Sequence, residues 1–226
     1  MKSQTHSHPA PIHLSGIDPI MSQIIERVGP YEARHRRERF PALARAIIFQ
    51  QLAGSAALAI LKRFVALFPG RRFPSAEQVV AIPIARMRKA GLSRAKAMYI
   101  KGLAAHVIAK KVNFHRFPKM DDEAIIEELT AVKGIGRWTA EMFLMFNMGR
   151  PDVMPSGDLG VQSAVMKAYG LAKRPTPKEL KEFAEKWRPH RTAAAWYLWR
   201  SLDVIVPDGA AKIAKTAKPV APKKKR

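Results

Sequence analysis

Between Asp121 and Val161 the chain sets two amphipathic stretches around Val132-Lys133-Gly134-Ile135-Gly136, then runs through a proline- and glycine-rich segment to Asp158. The first stretch, 121–131, begins at Asp121-Asp122 and has Ile125, Ile126 and Leu129 at helical spacing. The second, 137–148, has Ala140, Phe143, Leu144 and Met148 on one side. Two glycines around one aliphatic residue describe a tight hairpin between helices. Glycine allows positive φ and, lacking a Cβ, lets backbone amides approach another surface closely. Ile135 is then expected to plug into the core, leaving exposed amides and a helix N-terminus as a ready anion site. An ordinary glycine-rich turn between antiparallel helices fits the same five residues.

The segment after the second helix narrows the choice. Pro151-Asp152-Val153-Met154-Pro155-Ser156-Gly157 delivers Asp158 to the start of another apolar helix marked by Val161, Val165 and Ala168. Asp is a favoured N-cap, accepting backbone N–H groups of the next turn. By itself, that structural role accounts for Asp158.

Helical spacing dominates elsewhere. Ile20, Ile24, Ile25 and Val28 share a face that Gly29-Pro30 closes. Further helices are expected at about 41–53, 55–67, 93–111, 158–169, 177–187 and 190–202, with short ones in 76–90 broken by Pro83. No alternating strand pattern and no internal repeat is visible, so the expected fold is all-α. Helical spacing begins near Asp18; the preceding segment, 1–13, is polar, rich in His and Pro, and unlike a secretory signal.

Forty basic residues against 18 acidic give a net charge of +22. Seven of those positive charges lie in 209–226, which holds no acid, so residues 1–208 still carry +15. A folded body this basic is suited to a polyanion, nucleic acid above all, with an anionic membrane surface or solubility as alternatives. The tail is rich in Ala, Lys and Pro, lacks a hydrophobic face, and is expected to be disordered. Cysteine is absent, which excludes disulfides, a thiol nucleophile and a cysteine-held iron–sulfur cluster, and suits a reducing intracellular compartment. No apolar run reaches membrane-spanning length.

The segment Leu129–Val161 resembles the helix-hairpin-helix plus Gly/Pro-Asp signature of the base-excision DNA glycosylase superfamily. It is most similar to the 3-methyladenine DNA glycosylase II branch, through Gly134-Ile135-Gly136-Arg137-Trp138-Thr139-Ala140-Glu141. The resemblance extends over most of 40–202. It implies a two-lobed helix-hairpin-helix fold with an active-site cleft between the lobes, one glycosylase domain over 1–208, and 209–226 as a basic tail. The N-terminal β-rich domain of larger relatives has no visible counterpart. Asp158 becomes the catalytic carboxylate as well as a cap. Relatives often carry a second acid just before it, where this chain has Gly157.

The same resemblance implies further roles. Lys133, Gly134, Ile135 and Gly136 hold the DNA backbone. Arg45–Ala57 is similar to the helix and loop that insert a wedge where a base has been flipped, with Gln51 and Leu52 at the inserting positions; a plain core helix explains Leu52 almost as well. Trp138, Met142 and Trp199 line the base pocket, with Met142 standing where relatives carry an aromatic. Gly91-Leu92-Ser93 with Lys96, Tyr99 and Ile100 resembles a structural segment of the family, and Trp187 and Trp196 are read as core. No cofactor is required, although hairpins of the superfamily often hold Na+ or K+ through main-chain carbonyls, here those of Thr130, Val132 and Ile135.

Such an enzyme must extrude the nucleotide from the duplex. A carboxylate beneath the sugar then stabilises the cation that forms as the N-glycosidic bond breaks. Bifunctional relatives place a Schiff-base lysine where this chain has Trp138, and an indole cannot take that role. The expected activity is therefore excision of alkylated purines of the 3-methyladenine and 7-methylguanine type from double-stranded DNA, by a monomer, leaving an abasic site. Trp138 and Trp199 would offer electron-rich faces to a cationic base, and His190 is the sole nearby candidate acid, in what reads as a surface turn. The alternatives are a non-catalytic lesion-binding module of the same fold, or a glycosylase for ethenoadenine or other neutral damaged bases. The compartment would be cytoplasm and nucleoid in a bacterium, the nucleus in a eukaryote.

Deleting residues 209–226 is expected to flatten the slope of log affinity against log salt by about 0.9 for each phosphate that the tail neutralises. Lesion preference should survive the deletion. Salt titrations on lesion-bearing and plain duplexes check both, and a shifted lesion preference would refute this division of labour.

Overall fold

The computed structural model describes residues 8–33 and 38–205; the expected basic tail at 209–226 lies outside them. In chain order the helices are α1 (Pro9–Ile17), α2 (Pro19–Val28), α3 (Phe40–Phe49), α4 (Gly54–Val65), α5 (Ala76–Ala81) and α6 (Ile84–Lys89). They continue with α7 (Arg94–Ile108), α8 (Asp122–Thr130), α9 (Arg137–Phe143), α10 (Leu159–Ala168), α11 (Pro177–Phe183) and α12 (Arg191–Ile205). A π turn, Leu144–Met148, prolongs α9, and a 3-10 turn, Ala184–Trp187, prolongs α11. The all-α expectation holds: no strand occurs among the described residues. None of their helices is long and apolar enough to cross a membrane. The chain divides into two compact units, Met1–Ala33 with Ser156–Arg226, and Arg34–Pro155.

In the first unit α12 packs against α2 and α10, and α1 packs against α2. Helix α1 was not expected, since helical spacing was read as starting near Asp18. Its first turn carries Pro9 and Pro11, whose missing N–H groups would have had no partner there. The His8 ring accepts the Ala10 N–H at 3.2 Å, and Ala10 and Leu14 are buried. Two prolines and a histidine hide a helix start that their chemistry permits.

Asp18 joins α1 to α2. Its N–H donates to the Leu14 carbonyl at 3.1 Å, closing α1, while Oδ1 accepts the Ile20 and Met21 N–H groups, both at 3.1 Å, capping α2. Oδ2 accepts the Tyr169 hydroxyl at 2.6 Å and the Trp187 indole N–H at 2.9 Å, and pairs with Lys186 Nζ at 2.9 Å. Trp187 is fully buried, as expected. Trp196 is half-buried, edge-on to Tyr31 and Tyr197.

The second unit is organised around α7, which packs against α3, α5 and α6. Lys101 Nζ donates to the carbonyls of Val80 (2.6 Å) and Ile82 (2.5 Å), completing the C-terminus of α5. Pro83 then starts α6, the restart read from the sequence. Helix α3 stops at Phe49, short of the expected 53, because the backbone leaves helical geometry at Gln50 (φ −51, ψ 130) and then turns left-handed at Gln51, φ +57. After α9 the π turn delays the next hydrogen bond by one residue. Met145 is therefore buried with Ala140, Phe143 and Leu144, and Met148, expected on that face, is only half-buried.

The Asp18 network predicts acid sensitivity. Burial alone would raise the pKa, but hydrogen bonds from Tyr169, Lys186, Trp187 and the Met21 amide outweigh it and hold the group at about 2, below an ordinary 3.8. A depressed pKa contributes stability that is present above about 3.8 and lost as pH falls toward 2. Asp18→Asn is expected to cost about 2 kcal/mol at neutral pH. Urea unfolding of both proteins should show that difference shrinking across the same acid window.

Candidate active site

The hairpin lies in the Arg34–Pro155 unit. Asp121 caps α8 by accepting the Ala124 N–H at 2.8 Å, and Ile125, Ile126 and Leu129 face inward. After Thr130 the turn is closed by the Ile135 N–H donating to the Val132 carbonyl at 3.0 Å. Ile135 is 4% exposed, the core plug expected from the sequence, while Lys133 is exposed.

The two glycines do different work. Gly134 has φ +97, and a Cβ there would lie 2.4 Å from Cδ2 of Tyr99, so the turn is pressed against that ring. Gly136 has an ordinary extended backbone (φ −92, ψ 169), and a Cβ on it would meet nothing within 4 Å. It opens α9, and no side chain caps that N-terminus. A helix start leaves its first N–H groups without intrahelical partners, so this end presents donors beside exposed Lys133.

Arg137 follows. Its guanidinium pairs with Glu123 through both Nη atoms, and its Nε donates to Glu141 Oε1 at 3.1 Å. The Glu123 hydrogen bond raises the Arg137 pKa. Glu141 is buried, an acid that the sequence reading placed only within the hairpin motif. Trp138 is 50% exposed in the first turn of α9, with half-buried Met142 one turn later on the same helix.

The wedge positions belong to the same unit. Gln51 and Leu52 are exposed between α3 and α4, with Gln51 in the left-handed conformation that costs an L-residue about 1–2 kcal/mol. The preceding residue reaches the hairpin: Gln50 Nε2 donates to the Gly134 carbonyl at 2.9 Å. Sequence reasoning missed Gln50, and no local signal marks a side chain that bonds a carbonyl 84 positions away.

Asp158 and Trp199 lie in the other unit, and they meet. Asp158 caps α10, its Oδ1 accepting the Val161 N–H at 2.8 Å. The same oxygen accepts the Trp199 indole N–H at 2.9 Å. Trp199, expected as a pocket wall, is thereby a hydrogen-bond donor to the carboxylate, which sets its ring orientation. Gly160, another residue the sequence reading passed over, makes this possible. A Cβ there would sit 3.0 Å from Asp158 Oδ1 and 3.2 Å from Trp199 Cδ1. Gln162 Nε2 donates to the Ser156 carbonyl at 2.8 Å and ties down the loop that delivers the aspartate. The arrangement presents an oriented, half-buried carboxylate at a helix start, beside an exposed Leu159. His190 donates its backbone N–H to the Trp187 carbonyl at 2.8 Å, with its ring 5.2 Å from that of His13. Among the described residues no cluster of His, Asp or Glu could hold a metal ion.

Comparison with known proteins reaches the same segments. Residues 44–190 match the family model described as HhH-GPD superfamily base excision DNA repair protein. DNA-3-methyladenine glycosylase 1 of Schizosaccharomyces pombe is 36% identical over 219 residues, covering 95% of this chain and 92% of that protein. A structure of 3-methyladenine DNA glycosylase from the same yeast, in complex with abasic DNA, superposes with a TM-score of 0.75 at 36% identity. It covers 85% of this chain and 96% of the other. The crystal structure of a DNA-3-methyladenine glycosidase from Bacillus halodurans gives a TM-score of 0.80 at 33% identity, covering 91% and 99%. Since the family match spans both the hairpin and the loop that carries Asp158, the chain belongs to the HhH-GPD superfamily of base excision DNA repair proteins.

Proposed function

We propose that this chain is a monofunctional DNA glycosylase that hydrolyses the N-glycosidic bond of alkylated purines in double-stranded DNA and leaves an abasic site. The observation that carries the reading is the Asp158 carboxylate, held by the Val161 and Trp199 N–H groups on one oxygen, in a chain whose relatives are named 3-methyladenine glycosylases. Residues 1–208 serve as the glycosylase domain, and 209–226 add sequence-independent affinity for DNA.

The reaction begins with extrusion of the damaged nucleotide, which costs a few kcal/mol of unstacking. The uncapped start of α9, with Lys133, Gly134, Ile135 and Gly136, takes a backbone phosphate, and Gln51 and Leu52 fill the gap in the stack. Positive charge then develops on the sugar as the base departs. Asp158 stabilises that cation and orients or deprotonates the attacking water. Its two N–H donors fix where the negative charge sits before the reaction starts. A base such as 3-methyladenine or 7-methylguanine leaves as a neutral molecule, so no strong acid is needed beside it. Trp138 and Met142 in one unit and Trp199 in the other are assigned to the damaged base, and the indole faces favour a cationic purine by up to about 2 kcal/mol when desolvated.

The reaction needs no cofactor. The carbonyls of Thr130, Val132 and Ile135 suit a Na+ or K+, hard ions that favour oxygen ligands. Val132 gives one lone pair to the Ile135 amide and keeps a second for such an ion. A bound cation there would add positive charge at the hairpin.

Asp158→Asn keeps an N-cap of equal quality but removes the charge. It is expected to fold normally, bind DNA, and lose at least about a hundredfold in single-turnover excision of 7-methylguanine, the scale of one preorganised electrostatic group. A gel assay with alkali cleavage reads this directly, and full activity in the variant would overturn the assignment. Trp138 stands at the position of the Schiff-base lysine, so the product strand should remain intact until alkali is added. Borohydride should trap no protein–DNA adduct beyond the background of surface amines. Robust trapping in a protein lacking the tail lysines would refute monofunctional chemistry.

A further inference from the structure

Helix α7 supports the hairpin and the wedge loop at once. Lys96, in its first turn, sends its ammonium group to the carbonyls of Ile48 at 2.8 Å and Gln50 at 2.5 Å. One carbonyl is in the last turn of α3 and the other belongs to its C-cap residue, and a lysine there completes the helix end and opposes its negative dipole. Desolvation at this site lowers the Lys96 pKa. Ser93 accepts the Lys96 backbone N–H at 3.2 Å, capping α7 and anchoring the lysine at its root. Three residues further along the same helix, the Tyr99 ring lies against Gly134 so closely that no Cβ would fit.

Gln50 closes the triangle. Its carbonyl is gripped by Lys96, and its side-chain amide donates to the Gly134 carbonyl at 2.9 Å. The next residue, Gln51, is the one held at φ +57. A strained non-glycine backbone persists only where its surroundings over-determine it. Here the residue before it is bonded at both its backbone carbonyl and its side chain.

Building on the glycosylase reading, we propose that Lys96, Gln50 and Tyr99 form a brace that holds the Gln51–Leu52 wedge loop at a set offset from the hairpin at Gly134. They are positioning residues for nucleotide extrusion. Phosphate binding at the hairpin places the backbone, and the brace transmits that placement to the side chains that enter the stack. Without it the hairpin still grips DNA, but the wedge is no longer aimed. The brace thus acts on opening the duplex and leaves the bond-breaking step untouched.

Two measurements on the full-length protein test this. In the first, 2-aminopurine is placed opposite a tetrahydrofuran abasic-site analogue, and its fluorescence reports side-chain entry into the stack without any chemistry. Gln50→Leu and Tyr99→Leu are each expected to cut the protein-induced change severalfold at saturating protein. In the second, excision of 7-methylguanine is compared between a normal pair and a site opposite the same abasic analogue, where little remains to be unstacked. Gln50→Leu should slow excision from the pair by about tenfold, the scale of one missing hydrogen bond. The unpaired site should be nearly unaffected. Gln50→Glu keeps the length but turns an acceptor toward the Gly134 carbonyl, and should give the same split even if the leucine variant folds poorly. Equal loss on both substrates, or no loss on either, would overturn the brace, as would a wild-type protein that leaves the fluorescence unchanged. A wild-type protein that alters the fluorescence but excises nothing would bring down the glycosylase reading alone.

Discussion

An α-helix leaves its first four N–H groups and last four carbonyls without partners of its own, and a chain folded into short helices multiplies such ends. Much of what matters here happens where those ends are satisfied or left open. Lys101 completes α5 and Lys96 completes α3, both from the side of α7, so one helix holds the ends of two others. Asp121 closes the start of α8, while the start of α9, one hairpin later, has no side-chain cap. A helix start without a side-chain cap, next to an exposed lysine, suits an anionic backbone.

Two aspartates show how the same local device is put to different ends. Asp18 and Asp158 both precede a helix and both accept N–H groups from its first turn. Around Asp18 the protein closes completely, with Tyr169, Trp187 and Lys186 converging on the second oxygen. Its charge is consumed in holding α1, α2 and the α11–α12 region together. Asp158 stays half-buried, and the Trp199 N–H joins the Val161 N–H on the oxygen that caps the helix. One carboxylate is a fastener; the other is oriented and kept within reach of solvent.

Glycine carries a similar division. Gly134 is required by its left-handed backbone and by the Tyr99 ring beneath it, Gly160 by the space Trp199 needs to reach Asp158, and neither reason applies to Gly136. The sequence reading treated the hairpin glycines alike and overlooked Gly160, because what decides each case is a neighbour far along the chain. The helix-end errors have local causes by contrast. Pro9 and Pro11 disguised α1 though both are tolerated in a first turn, and the π turn after α9 moved burial from Met148 to Met145.

The sequence by itself determined what depends on short range. Its 3.6-residue periodicity set the all-α class, Gly134-Ile135-Gly136 set the hairpin, the proline-rich run set the loop, and Asp158 set the cap at its end. Each is encoded in residues a turn or two apart, and the +22 charge pointed to a polyanion without reference to any fold. The tertiary structure alone decided which side chains meet: Trp199 with Asp158 across 41 positions, Gln50 with Gly134 across 84, and Tyr169 with Asp18 across 151. No period or motif specifies such pairs, because they arise from how whole helices pack, and packing depends on every face buried at once.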